Sequence, residues 1–270
     1  MYGWRTFGYG EPVSDPRPPE YVQSLERGLS VIRAFSHDHP RLTLSEVAKE
    51  TGMTRAAARR FLLTLEHLGY VSSEGRQFSL RPSVLQLGYA YLRSFTTAEI
   101  AQNHLEKLAE HLHESCSASV LDDDDIVYVA RASTNRIMTV GLSVGARLPA
   151  YCTSMGRVLL SAMDDEALSA YLKSANLTTR TDRTITSPTQ LRAEILAVRD
   201  QGWCLLDQEL EDGVRSVACP VRDSHGRVVA AINTSAHATR VSLETLRNDF
   251  LPALRKCATE IDNDLAGIRG

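Results

Sequence analysis

Apolar residues between Val22 and Phe35 fall at Val22, Leu25, Leu29, Ile32 and Phe35, the spacing of one helix face, and the run ends near Ser36 before His39-Pro40. The pattern predicts a first helix from Tyr21. Thr43-Leu44-Ser45-Glu46 has the form of a capping box, in which hydroxyl and carboxylate each satisfy a free backbone N–H at a helix start. A short second helix should follow, turning Leu44, Val47 and Ala48 to a core and stopping at Thr51-Gly52, where glycine takes the left-handed conformation. Thr54 then caps a third helix, Arg55 to Leu68, with Ala58, Phe61, Leu62, Leu65 and Leu68 inward and Gly69 at its end. Tyr70 to Leu80 reads as two short strands around Glu74-Gly75. Helix, helix-turn-helix and hairpin in that order make a winged helix-turn-helix.

Beyond Pro82, the run from Ser83 to Phe95 carries Val84, Leu87, Tyr91 and Leu92 on one side and reads as a linker helix. An amphipathic helix, Ile100 to Leu112, precedes strand-like runs at Ser117–Leu121, Ile126–Ala130, Ile137–Leu142, Ser216–Val221 and Val228–Ser235. Helices are expected near Met155–Met163, Leu191–Gln201 and Leu243–Ala266, giving an α+β second domain. Residues 1–20, rich in Gly, Pro and charge, read as a flexible arm. The expected division is therefore arm 1–20, winged helix-turn-helix 21–82, linker helix 83–98 and a ligand-binding domain 99–270.

Composition adds three constraints. A chain of 270 residues with 43% hydrophobic and 23% charged residues suits two folded domains rather than a disordered polymer. No apolar run nears the roughly 20 residues of a membrane span, and the first residues lack a signal peptide's apolar stretch, so a cytoplasmic protein without a membrane role is expected. Five scattered cysteines with no C-x-x-C pair fit reduced, buried thiols. The net charge of −3 is uneven: residues 1–95 hold 12 Lys and Arg against 9 Asp and Glu, the remainder 18 against 24. A basic front on an acidic body suits an anionic partner for the first domain alone.

That partner is duplex DNA if the third helix enters a major groove, since the amino-terminal residues of such a helix meet base edges. Thr54, Arg55, Ala56, Arg59 and Arg60 are then the reading residues: Arg55 and Arg59 share a face, and the alanines let the backbone approach. Arginine offers a bidentate fork to guanine or phosphate. A solvated helix face with incidental arginines is the alternative, set aside because cap, turn, helix and hairpin occur in the right order. Arg76 on the wing and Arg41 before the second helix are candidate phosphate contacts, or simply exposed loop charge.

Three other motifs have competing readings. Gly141-Leu142-Ser143-Val144-Gly145 matches the G-x-S-x-G nucleophile elbow of a serine esterase, but Arg147-Leu148-Pro149 follows where the elbow needs a helix. A hairpin turn accounts for both glycines. The four aspartates 122–125 lack the spacing of a calcium loop and read as a hairpin tip, and His111 and His113 diverge on their helix, so no metal site and no cofactor are expected. In Val228–Ser235, Asn233 and Ser235 point to one face, where a ligand or neighbouring backbone must satisfy them. For an anionic ligand, Arg136, Arg147 and Arg215 are candidate cations, with surface ion pairs as the alternative.

The stretches Tyr21-Val22-Gln23-Ser24-Leu25-Glu26-Arg27-Gly28, Thr54 to Leu65 and Arg147 to Arg157 carry a resemblance that spans residues 21–265. The chain resembles the IclR family of bacterial regulators, and within it the branch controlling aromatic-acid catabolism through the β-ketoadipate pathway. The branch rests on Asp125 to Arg131 and Glu209-Leu210-Glu211. The resemblance implies no enzymatic activity but a winged helix, a GAF-like effector-binding domain, and a homodimer or dimer of dimers on double-stranded operator DNA. The effector would be an aromatic or dicarboxylic acid such as protocatechuate, 4-hydroxybenzoate or β-ketoadipate. The family's cavity lines up with Leu142, Ala150, Tyr151, Leu206, Val214, Ser216, Asn233 and Ser235. Some members carry a cysteine or acidic side chain where this chain has Ser216 and Leu206, a departure from small keto-acid chemistry.

Overall fold

Thr43 and Glu46 close the capping box: the Glu46 backbone N–H donates to Thr43 Oγ1 and the Thr43 N–H to Glu46 Oε2 at 2.7 Å. The Thr43 bonds also hold the Glu46 carboxyl below its usual pKa. In the computed structural model, which describes residues 20–36, 38–88, 96–133 and 142–267, this cap starts α2 (Leu44–Glu50). Ahead of it lie α1 (Gln23–Arg33) and β1 (Arg41–Thr43); after it come α3 (Arg55–His67), β2 (Val71–Glu74) and β3 (Gln77–Leu80). Thr54 caps α3 by accepting the Ala57 N–H. Glycine serves the turn before α3 at Gly52 (φ +64°) and the wing at Gly75 (φ +63°). The strands pair antiparallel in the order β1-β3-β2, and β1 was not expected. Its three residues show no alternation long enough to register as a strand.

This core joins Val31, Leu42, Val47, Ala58, Leu62 and Val71. The apolar stripe of α1 is open at its start, with Val22 and Leu25 about 60% exposed and Leu29 39%, while Ile32 and Phe35 pack against the core. Val31, outside that stripe, is fully buried. The helix axis is rolled so that Leu25, Leu29 and Ile32 border an apolar groove of about 450 Å³ with Phe61 and Leu65 of α3. Leu68, expected inside, lies on its rim, 59% exposed.

The chain divides into two compact units between Ala90 and Tyr91. Pro82–Val84 form a 3-10 turn and residues 85–88 begin a helix. Residues 1–19 of the expected arm, 89–95 of the expected linker helix and 137–141 of an expected strand lie outside the described residues. The second unit contains α4 (Thr96–Leu112), β4 (Ser115–Asp122), β5 (Asp125–Ala132), β6 (Arg147–Pro149), α5 (Ser154–Ser161), α6 (Asp165–Ser174), α7 (Pro188–Gln201), β7 (Cys204–Asp207), β8 (Val214–Arg222), β9 (Val228–His237) and α8 (Leu251–Gly267). The sheet is antiparallel in the order β6-β5-β4-β9-β8-β7. Helices α4 and α8 cover one face and α5 the other, with α6 and α7 behind α5. Before α8 the helix widens to a π turn over Leu246–Phe250. Pro252 follows, with no N–H for the preceding turn and a ring that crowds its carbonyls, and the wider turn makes room.

Alternation sorts β4 between the two cores. Cys116 and Ala118 enter the α4/α8 cluster, while Ser119 turns the other way, its Oγ 3.2 Å from Met155 Sδ in α5. At the start of α5, a Cβ on Gly156 would overlap the carbonyl oxygen and Cα of Ala150. Gly156→Ala should therefore lower the unfolding free energy by about 1 to 3 kcal/mol or more, read as a lower urea midpoint. Gly28→Ala in α1, whose nearest neighbour is 4.0 Å away, should be neutral or stabilising by up to about 1 kcal/mol. Equal midpoints for Gly156→Ala and the parent would contradict this packing.

Candidate functional site

Arg55, Arg59 and Arg60 all stand in solvent on α3, and Thr54 and Ala56 beside them are exposed too. Among the described residues none of the three guanidinium groups has an acidic partner. Ala58 is fully buried on the opposite side, so helical period alone separates the packed face from the charged one. Arg76 is exposed at the wing turn. Arg41 is in β1, where it pairs with Glu74 at 3.0 Å; both side chains are more than half exposed. Such a pair contributes at most about 1 kcal/mol and leaves the arginine exchangeable toward a phosphate. An unopposed basic helix end on a small domain, with a hairpin beside it, is the geometry of a groove-reading module.

The second site is the sheet face toward α5. Residues directly opposite in an antiparallel ladder share a face, and the register sets Leu206 beside Ser216, Ser216 beside Ser235, and Ser117 beside both Arg131 and Asn233. Asn233 Nδ2 donates to Ser235 Oγ at 3.0 Å, so those two partly satisfy each other. Val214 lies on the same side of β8, two residues from Ser216. Ala150 and Tyr151 are buried in the same cluster and Leu142 packs against it; the Tyr151 hydroxyl donates to the Thr178 carbonyl at 2.6 Å. Of the eight residues the resemblance implied, Ala150, Tyr151 and Leu206 are in the buried cluster on the α5 side and Leu142 packs against it, while strand register puts Val214, Ser216, Asn233 and Ser235 on that face of the sheet.

The cation candidates require correction. Arg147 is committed to Asp122 and Asp125 at the hairpin between β4 and β5, the turn formed by the aspartate run. Arg215 is held by Asp207 and by the carbonyls of Ala238 and Val241 at 3.1 and 2.9 Å. Arg136 lies outside the described residues. The sequence reading passed over Arg131, whose Nη1 donates to Ser117 Oγ at 3.1 Å. It also passed over the buried Arg157–Glu209 pair, which bonds the Tyr151 carbonyl at 3.0 Å and ties α5 to the segment after β7. The only signal for either was an arginine inside an apolar run.

Hydrolase chemistry finds no support. Ser143 is exposed in a turn closed by the Ala146 N–H, Gly145 has φ +88°, and strand β6 follows rather than a helix. Among the described residues no cluster of His, Cys, Asp or Glu could hold a metal ion, and no helix is long and apolar enough to cross a membrane.

A capped helix with an exposed basic end on one unit and a sheet with a polar row on its α5 side on the other fit a DNA-binding regulator with a second, effector-binding domain. The chain belongs to the IclR family: the IclR helix-turn-helix model matches residues 24–75 and the IclR C-terminal regulator model residues 89–263. It is 49% identical over 250 residues to the Pca regulon regulatory protein of Pseudomonas putida, covering 92% of this chain and 86% of that one. The crystal structure of a transcriptional regulator from Rhodococcus sp. RHA1 matches with a TM-score of 0.85 and 57% identity, covering 92% of this chain and 100% of that one. A double mutant of the PobR inducer-binding domain from Acinetobacter, in complex with 3-hydroxybenzoic acid, matches with a TM-score of 0.58 and 35% identity, covering 61% of this chain and 96% of that one. The protein is a transcriptional regulator, not an enzyme.

Burial makes all five thiols unreactive: it pushes Cys152 up to about 11 and Cys116, Cys204, Cys219 and Cys257 up to about 12. Since the thiolate is the reacting species, Ellman's reagent at neutral pH should leave the native protein unlabelled and titrate every cysteine after denaturation. Fast labelling of the folded protein would contradict this.

Proposed function

We propose that this protein grips double-stranded operator DNA as a homodimer or dimer of dimers, with α3 in the major groove, and that an aromatic or dicarboxylic acid on the α5-facing side of the sheet controls that grip. The observation that carries the DNA reading is the unpaired, exposed trio Arg55, Arg59 and Arg60 at the start of a capped helix. Arg76 and Arg41 add phosphate contacts from the wing. The acid reading draws on the relatives, one named for the Pca regulon and one, a mutant, complexed with 3-hydroxybenzoic acid. The polar row Ser216, Asn233 and Ser235 beside the apolar Leu206, Ala150 and Tyr151 suits an oxygen-bearing ring.

Control follows if effector binding resets how the two copies hold their recognition helices. A dimer reads a near-palindrome only when its helices match half-sites about 34 Å apart, so a small reorientation changes affinity. Operator affinity that is the same with and without saturating acid rules out that form of control.

On a duplex selected in vitro for binding, Arg59→Ala should cost about 1 to 3 kcal/mol, and the parent's affinity should fall steeply with salt as condensed counterions are released. Fluorescence anisotropy reads both; a mutant as tight as the parent would remove Arg59 from the interface. For the effector, protocatechuate, 4-hydroxybenzoate and β-ketoadipate are screened by thermal shift. A ligand at about 100 times its Kd adds about 2.7 kcal/mol of stability, and an absence of any shift would defeat the acid reading.

A further inference from the structure

We propose that Arg131 is the cation that receives the effector's carboxylate, presented by Ser117 on the sheet face it shares with Asn233 and Ser235. The assignment rests on the reading of this domain as an acid-binding one.

Among the described residues Arg131 has no acidic partner, whereas Arg147, Arg157, Arg183, Arg199 and Arg215 in the same domain are each paired with a carboxylate. Among the described residues its side-chain bond is to the neutral Ser117 hydroxyl, and its Nε is enclosed without an acceptor. Burial, opposed by Tyr128 and Cys116, holds the guanidinium below its usual pKa. A half-buried guanidinium that keeps donors unused costs stability unless an acceptor arrives, and a carboxylate is the acceptor whose geometry fits the fork. An exposed arginine would be satisfied by water instead.

The backbone that aims it is fixed from outside the sheet. β6 pairs with β5 only over Asp125–Val127, so the outer edge at Arg131 has no strand beside it among the described residues. The Gln102 carboxamide of α4 takes a strand's place, accepting the Arg131 N–H at 3.1 Å and donating to its carbonyl at 3.3 Å. Both ends of the residue are thereby tied, which lowers the ordering cost of binding. Arg131 on β5, Ser117 on β4 and Asn233 on β9 stand in one row across the sheet. Strands are about 4.8 Å apart, so the row puts a cation at one end and a carboxamide with its bonded Ser235 hydroxyl at the other. A single ring carrying a carboxylate and a hydroxyl on opposite sides matches that row.

The test is isothermal titration of the full-length protein with 4-hydroxybenzoate and 3,4-dihydroxybenzoate, each beside its neutral primary amide, and with β-ketoadipate. The parent should prefer acid over amide by about ten- to a hundred-fold, the range of a charge-assisted hydrogen bond. Arg131→Met should erase that preference, weakening the acid by about ten- to a hundred-fold more than the amide; Arg131→Lys, which keeps the charge but loses the fork, should reduce it. An unchanged acid-to-amide ratio in Arg131→Met overturns the assignment. Should that variant fail to melt cooperatively, an unchanged ratio in Arg131→Lys overturns it equally. If none of the acids binds the parent, the acid-effector reading itself falls and this one with it, a result distinct from tight binding indifferent to Arg131.

Discussion

The period of two along β4, β5, β8 and β9 is the constraint on which the regulatory domain depends. Helices cover both faces of the sheet, so the buried strand residues are committed to one of two cores, and a slip of one position would exchange the sets. Cys116 and Ala118 close the α4/α8 side, while Ser117 and Ser119 are delivered to the α5 side. The polar row exists because four strands keep register across it. A bulge between the pairs of Ala118 and Ser119 marks where β5 departs from it, Val129 being the residue left over. That extra residue sets Tyr128 and Arg131, three apart in sequence, on the same face.

Around that face the fixed points are contacts that tolerate little change. Gly156 lets α5 start against Ala150, which brings Met155 over Ser119 and turns Arg157 inward to Glu209. Removing one partner of such an enclosed ion pair leaves a bare charge and costs more than the pair contributes. The pair's value here is positional: Arg157 also bonds the Tyr151 carbonyl, and Glu209 accepts the Ile185 N–H at 3.4 Å. One arginine thereby links three segments far apart in sequence.

What the sequence made legible follows the range of the forces involved. The caps at Thr43 and Thr54, the Gly52 turn and the wing are local, each settled within four residues, and their order identified the first domain. Long-range packing decided the rest. The α1 stripe reads as a buried face, yet which face is covered depends on α3, 30 residues away. β6 and β7 are too short for alternation to show. Helix α6 was missed although Asp164, with Asp165 and Glu166 after it, carries a helix-start signature. Which arginines are engaged in ion pairs was hidden for the same reason. Arg147 and Arg215 look free in one dimension, and only the fold brings Asp122 and Asp207 against them.

Arginine occupies two electrostatic settings in this chain, and the surroundings separate them. On α3 the guanidinium groups lie in high dielectric, where a Debye length of about 8 Å at physiological ionic strength limits their reach, so their work depends on many phosphates at once and weakens with salt. At Arg131 the group is partly withdrawn from water, single and aimed, so its interaction with one carboxylate is screened far less. The first arrangement suits rapid, reversible scanning of a polyanion; the second suits recognition of a small molecule at fixed stoichiometry.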